Sequence, residues 1–515
     1  MIRFTNSVKV NGMEGVTVMV ECNIEKGIGI HVVGIADQKI NEILLRSVTA
    51  LQANAFRIPG KKIVINLAPA DLCKSGSGYD LPIALAVIAA SEQKTLPDLE
   101  KWLITGELGL DGSVRSVPGC VQAVDAAKKE GFKGCIIPRD NAVEVAPLFD
   151  DSFPVYAVNS LSQAIEVVTG DGRVQEYKAQ YIHLTKDRYD RAGSLSQNNA
   201  WESLVGNESG RRAALVAAAG AHNMLLIGAP GSGKDSISKA VWELLPLMSH
   251  QECLQVAKIY SAAGVTSRYD EISKIRPYRN PHISLSLRTL LGGGAGDVVL
   301  PGEVSLAHNG VLTIHDITDA PKAIQEALRG PLDDTNVVIS RLRNKVTYPA
   351  DFIFIATANP CPCSYYGAGD KCTCTAHQRE AYMNHLSPAI MDRLTIQLWT
   401  HEPLTAPAED NGLSLQEARD VVRKVRARMA ERYSQAGVTN DNVHIADLEA
   451  DCLRCSETVE MLNKIIERLG LNARAYTRIL RIARTIADIE DSDEVQPQHV
   501  AEAASFRFLD RQNPV

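Results

Sequence analysis

Aromatic residues are scarce in this 515-residue sequence, at 5%, and long apolar runs are missing. The longest, Leu81 to Ala90, falls far short of the roughly 20 residues a helix needs to cross a bilayer, so no membrane association is expected. The opening Met-Ile-Arg-Phe-Thr-Asn lacks an apolar stretch followed by a small-residue cleavage site, the mark of an export signal. Without one, an odd count of 11 cysteines fits reduced thiols better than a disulfide framework, and a cytoplasmic location is expected. Net basic charge is missing too. Lys and Arg number 54 against 61 Asp and Glu, giving −7 and a pI near 6.0. That excludes wholesale coating of nucleic acid and leaves room for a local basic pore or groove. The rest is ordinary for a globular chain, 45% hydrophobic and 22% charged, and the length predicts roughly two to four domains.

The order of patterns predicts an α/β multidomain protein. Residues 1–168 alternate strands (Val16–Cys22, Ile28–Val33, Lys62–Asn66, Cys135–Pro138, Phe153–Ala157) with helices (Leu81–Ser91, Cys120–Glu130), which reads as one α/β domain. Residues 169–199 hold few apolar side chains and read as a linker. Residues 200–400 alternate again, with largely apolar strands at Met224–Ile227, Val311–Ile314 and Phe352–Ala356 that suit a parallel sheet covered on both faces. Residues 401–515 read as all-helical, with helices over Leu413–Tyr433, Thr458–Leu469, Ala473–Ile489 and Pro497–Leu509.

The most informative stretch is Gly228-Ala-Pro230-Gly231-Ser-Gly233-Lys234-Asp235-Ser236, between an apolar strand and a helix. It meets the phosphate-loop pattern G-x-x-x-x-G-K-[ST] at every position but the last. Glycines let backbone N–H groups turn toward phosphate oxygens, and the lysine brings a point charge to the β/γ-phosphates. ATP is the expected ligand. The last position should be a magnesium-binding hydroxyl and is Asp235. The partner strand should end in Asp-Glu, one acid for the metal and one for the attacking water; here it ends in His315-Asp316. The next strand ends in Thr357-Ala-Asn359, where an amide can reach the γ-phosphate or the water. Because a loop hydroxyl and a strand acid share one metal in working enzymes, exchanging both places Asp235 and His315 face to face within hydrogen-bond reach. Such a pair either still takes a divalent ion or replaces it. Cys361, Cys363, Cys372 and Cys374 offer a tetrahedral zinc site, though the C-x-C spacing equally allows four reduced loop thiols.

Several stretches carry a resemblance. They are Asn66-Leu-Ala-Pro-Ala-Asp71, Gly76-Ser-Gly-Tyr-Asp80, Ile104-Thr-Gly-Glu-Leu108, Arg276-Pro-Tyr-Arg-Asn-Pro-His282, Pro301-Gly-Glu303, Ala358-Asn-Pro-Cys-Pro-Cys363 and Ala473-Arg-Ala-Tyr-Thr-Arg-Ile-Leu480. Over nearly its full length the chain resembles the magnesium-chelatase-related AAA+ proteins of the YifB/ComM family. The resemblance implies a domain similar to the Lon protease domain (a ribosomal-S5-like fold), a P-loop AAA+ core, and a helical lid. It implies a homo-oligomeric ring, hexameric by analogy, related to DNA branch-migration helicases of natural transformation. It makes Asn359 the first sensor, Arg393 the arginine finger and Arg474 the second sensor, with Asp316 as the remaining water-orienting acid. It also makes the hairpin bearing Arg341, Arg343 and Lys345 a pore element that contacts DNA phosphates, with Thr289–Gly296 as a second pore loop. The protease dyad is replaced: Gly78 and Val121 stand at its two positions, and with no base to activate a hydroxyl, proteolysis is not expected. A non-hydrolysing nucleotide-binding or vestigial scaffold is the alternative to a motor, and a magnesium-insertion subunit ranks last.

Overall fold

Three blocks of secondary structure follow one another along the chain, and the crevice of interest lies in the second. The computed structural model describes residues 2–34, 40–69, 78–149, 152–179, 200–204, 206–265, 274–294, 299–341, 345–367, 369–401, 412–434 and 437–510.

The first block is a seven-stranded mixed sheet. Its order is Ile30–Val33, Lys62–Ala68, Glu14–Glu25, Arg3–Asn11, Trp102–Ile104, Gly134–Pro138, Val155–Val158. Arg3–Asn11 and Glu14–Glu25 form an antiparallel hairpin, and alternate residues Val18, Val20 and Cys22 are fully buried, as period-two side-chain alternation requires. Helix Asp80–Ala90 is buried along almost its whole length. Its first residue explains one signature stretch: Asp80 accepts from Arg46 Nε at 2.7 Å and from the Leu108 N–H at 3.1 Å. Burial outweighs these partners and raises the Asp80 carboxyl to about 6. The predicted linker begins too early. Thr169 ends the helix Leu161–Thr169, a short helix Val174–Tyr177 follows, and Lys178 bridges to Tyr156. Residues 180–199 lie outside the described part.

Helix Cys120–Lys129 docks this block on helix His250–Ala263 of the second. The Gly119 N–H donates to the Ser261 carbonyl and hydroxyl, both at 3.1 Å. Gln122 Nε2 donates to the Lys258 carbonyl at 2.8 Å, and Lys258 Nζ meets Asp125 at 2.7 Å. Burial would raise the Asp125 carboxyl, but the ammonium groups of Lys258 and Lys129 win and hold it below its ordinary value.

The second block is a five-stranded, all-parallel sheet in the order Tyr278–Arg279, Gly310–Ile314, Phe352–Ala358, Met224–Ile227, Ile396–Trp399. Counted along the chain, that is 2-3-4-1-5. Met224, Leu226, Ile353 and Ile355 face one core, shared with helices Glu208–Gly220 and Lys234–Leu244. Leu225, Ile227, Phe354 and Ala356 face a second core on the other side. Two more signature stretches serve as braces. Arg276 pairs with Glu252 at 2.7 Å, and Arg279 grips both oxygens of Glu303 at 2.7 Å.

The third block is helical, as predicted, with helices Leu415–Tyr433, Ser456–Leu469, Ala473–Ile489 and Pro497–Ser505. A further helix, Ile445–Cys452, was not anticipated, and the last predicted helix breaks into a 3-10 turn at Phe508–Asp510. The first core runs without interruption from the sheet into these helices. Arg212 joins them through Glu490 at 2.9 Å and Glu502 at 2.7 Å. Among the described residues no helix is long and apolar enough to cross a membrane.

Candidate nucleotide site

Parallel pairing aligns three strand tips at one edge of the sheet: Ile314 lies beside Ala356, and Ala358 beside Ile227. The residues that follow each strand therefore converge, at the carboxyl ends where such sheets bind ligands. After Ile227 the chain turns through Gly228. A side chain there would meet the Thr400 hydroxyl at 2.1 Å and the Ser232 hydroxyl at 2.6 Å, and those two hydroxyls bond each other at 2.6 Å. Gly231 and Gly233 adopt φ of +85° and +84°, a region that favours glycine. Helix Lys234–Leu244 then starts, with its free N–H groups available to anions. Pro230 is exposed on the loop, and Ser236 is half-buried in the first helical turn.

The polar side chains form one connected path. Lys234 Nζ folds back onto the carbonyls of Gly228 and Ala229, the latter at 3.1 Å, and reaches Asn359 Oδ1 at 3.4 Å. Burial lowers the Lys234 ammonium below its ordinary value, against the attraction of Asp316. Asn359 Nδ2 donates to Asp316 Oδ1 at 3.0 Å, and the Asp316 N–H donates to Thr357 Oγ1 at 3.2 Å. Thr357 Oγ1 is 3.3 Å from His315 Nδ1. His315 Nε2 is 3.1 Å from Asp235 Oδ1. With Nε2–H donating to the carboxylate, Nδ1 is left to accept from the Thr357 hydroxyl. The facing pair expected from the two substitutions is thus present. Lys239, one helical turn beyond Asp235, takes the other carboxylate oxygen at 3.0 Å.

Arg393 and Arg474 do not join this path. Arg393 binds both oxygens of Asp333 and the Ala389 carbonyl. Arg474, at the start of helix Ala473–Ile489, pairs with Asp392. Of the basic hairpin, strands Asn336–Ser340 and Lys345–Pro349 pair antiparallel. Arg341 donates to the Gly294 carbonyl at 3.2 Å, so the two predicted pore elements touch. Lys345 is exposed, and Arg343 lies outside the described residues. Tyr348, the aromatic residue on this hairpin, is buried, with its hydroxyl donating to the Val299 carbonyl at 2.9 Å. It serves the core. In the first block Val121 is fully buried.

The descriptions of known families match this layout block by block. "Magnesium chelatase, subunit ChlI" matches residues 200–406, "Subunit ChlI of Mg-chelatase" residues 20–141, and "Magnesium chelatase, subunit ChlI C-terminal" residues 412–507. "Uncharacterized protein YifB" of Escherichia coli is 35% identical over 501 residues, covering 97% of this chain and 96% of that protein. Its Salmonella typhimurium counterpart is 34% identical over 504 residues, with the same coverage. "Competence protein ComM" of Haemophilus influenzae is 33% identical over 508 residues, again covering 97% and 96%.

The chain belongs to the YifB/ComM family.

Within this YifB/ComM fold, sequence reasoning missed Lys239, although an acid four residues before a lysine on a helix is a standing signal for an ion pair. It also missed the Ser232–Thr400 clasp, which joins residues 168 apart and left no local trace. Behind Asn359, the thiols of Cys361, Cys363, Cys372 and Cys374 converge. The N–H groups of Tyr365 and Thr373 lower the Cys363 thiol to about 6, while burial pushes Cys361 up to about 12.

Proposed function

We propose that this chain binds ATP on the loop Gly228–Lys234 and works as a subunit of an AAA+ ring, hexameric by analogy, with rewritten metal chemistry and DNA in the pore. The observation that carries the reading is the unbroken path from Lys234 through Asn359, Asp316, Thr357 and His315 to Asp235. It joins the phosphate loop to the tips of both neighbouring strands.

The loop fits a triphosphate: two left-handed glycines, a helix N-terminus and a lysine within one turn. Lys234 would leave the Gly228 and Ala229 carbonyls for the β/γ-phosphates, and Asn359 would orient water beside the single acid Asp316. Arg393, as the finger, would leave Asp333 for the neighbouring subunit's nucleotide, and Arg474 would read the nucleotide from the lid. The residues do not fit a magnesium seat. The hydroxyl is gone, both Asp235 oxygens are engaged, and imidazole suits borderline metals rather than magnesium. In this reading, neutralising phosphate charge therefore falls to Lys234 and Lys239. Arg341, Arg343 and Lys345 supply the DNA phosphate contacts in this reading.

A second reading, a nucleotide-binding scaffold that does not hydrolyse, draws support from the same full engagement of Asp235 and from Asp316 being the only acid at its strand tip. ATP turnover with and without branched DNA separates the two, with Lys234→Ala as control. DNA-stimulated, Lys234-dependent turnover supports the motor. Binding without turnover in folded protein supports the scaffold.

A further inference from the structure

The segment 361–374 holds its shape without a core of its own. Among its described side chains only Cys361 is buried, and Pro362, Tyr365, Lys371 and Thr373 are exposed. Hydrophobic burial therefore does not explain the fold of this segment. What converges instead is sulfur. Cys361 Sγ lies 3.3 Å from Cys363 Sγ and 3.8 Å from Cys372 Sγ, and Cys363 Sγ lies 3.6 Å from Cys372 Sγ. All four ligand atoms, Cys374 included, lie within 4.8 Å of one another. A tetrahedron of thiolates about 2.3 Å from zinc has edges of about 3.8 Å. A disulfide would need about 2.05 Å, and none of these three pairs approaches it. The spread leaves room for one ion and not for a cluster with bridging sulfides.

The backbone is arranged for such a knuckle. Ser364 adopts φ of +68°, and its N–H donates to the Cys361 carbonyl at 2.9 Å, turning the chain so that the first two sulfurs share one side. Arg379 donates to the Cys374 carbonyl at 3.1 Å and lays its guanidinium 4.1 Å from the Tyr366 ring centre. A capping box at Thr375 and Gln378 starts the next helix immediately after the fourth cysteine.

We propose that Cys361, Cys363, Cys372 and Cys374 bind one zinc ion, and that this ion fixes one wall of the nucleotide crevice. The thiols bind as thiolates and release their protons to solvent. The knuckle begins two residues after Asn359. Between its two cysteine pairs it carries Tyr366 and Gly367, which line a cleft of about 210 Å³ with Ala229 of the phosphate loop, Trp399 and His401. Tyr366 meets Trp399 edge-on at 5.8 Å. The second clause of the proposal rests on the nucleotide reading above; the first does not.

The test uses the full chain, purified under reducing, chelator-free conditions. Elemental analysis is expected to find about one zinc per chain. Cobalt exchanged into the site is expected to show the visible spectrum of a tetrahedral tetrathiolate. Cys372→Ser and Cys374→Ser, both at partly exposed positions, are each expected to lower zinc affinity at least roughly tenfold, with far-UV circular dichroism unchanged elsewhere. Zinc-free protein from zinc-supplemented cells, bound iron in its place, or zinc content unchanged in both variants would overturn the site. Stripping the zinc is expected to weaken binding of a fluorescent ATP analogue by about tenfold, restored on adding zinc back. Equal binding with and without zinc overturns the coupling alone. Zinc-loaded protein that binds no nucleotide overturns the nucleotide reading and the coupling, and leaves the metal assignment standing.

Discussion

Arg46–Asp80 in the first block and His315–Asp235 at the phosphate loop are both acid–base pairs, set in opposite surroundings. The Asp80 side chain is 0% exposed, while that of Asp235 is 56% exposed. Removing one partner of a buried pair leaves a stranded charge and costs about 3–5 kcal/mol; an exposed pair is worth about 0–1 kcal/mol. The scaffold is therefore bound to its buried pairs, whereas the tips of the central strands are free to exchange side chains at little cost to the fold. In the function proposed above, the chemistry is rewritten where rewriting is cheap.

Arg46→Met should give the largest effect. Hydrogen exchange of helix Asp80–Ala90 is expected to show about 3 kcal/mol less protection at pH 8. The loss should shrink at pH 5, because Asp80, already raised to about 6 by burial, then takes up a proton and is no longer a stranded charge. An equal loss at both pH values would break the contrast.

A buried histidine extends it. His308 is buried, accepts the Asp351 N–H at Nδ1 and faces Gln255 at Nε2, and burial lowers it to about 4 from 6.5. The unfolded chain binds the proton first, so stability is complete above pH 6.5 and is lost as pH falls toward 4, by up to roughly 3 kcal/mol. Acid titration of thermal stability, wild type against His308→Gln, measures it; identical profiles would remove the assignment.

Lys234→Ala should weaken binding of an ATP analogue by roughly 10–100-fold, the worth of one charged hydrogen bond, while the melting temperature stays put. Isothermal titration calorimetry reads the first and a thermal melt the second. The smallest effect is expected from Asp235→Ala, a stability change under about 1 kcal/mol in urea denaturation. The double change Asp235→Thr with His315→Asp should make nucleotide affinity depend on magnesium. Wild type that already shows the same magnesium dependence would mean that the pair is not the cause.

Much of the fold was legible because parallel strands buried on both faces read as apolar runs. Met224–Ile227 and Phe352–Ala358 are such runs. Ile396–Trp399 was missed because Gln397 interrupts it; its side chain is buried and accepts the Leu509 N–H at 3.0 Å, a contact no local pattern announces. Helix His250–Ala263 was missed although Ser249 and Glu252 form a capping box, a signal that stood in plain sequence. At the site, the Asp235–His315 pairing was legible because two substitutions at positions sharing one ligand point to each other. The retention of Arg393 by Asp333 and of Arg474 by Asp392 was not, since each joins residues brought together only by the chain's return.

The joint between the first two blocks has a further consequence. Beside the apolar contact that Ala257 and Leu254 make with the first block's core, Gly119, Gln122 and Asp125 meet Ser261 and Lys258 through directional bonds. A smooth apolar contact can slide and keep most of its adhesion at every intermediate position. This joint cannot: a shift by one residue along helix His250–Ala263 would strand the Gln122 amide, the Lys258 ammonium and the Gly119 N–H at the same moment. Its resistance to slip is all-or-none. Any force reaching the first block is thus passed to the second without lost motion, up to the load at which the two part.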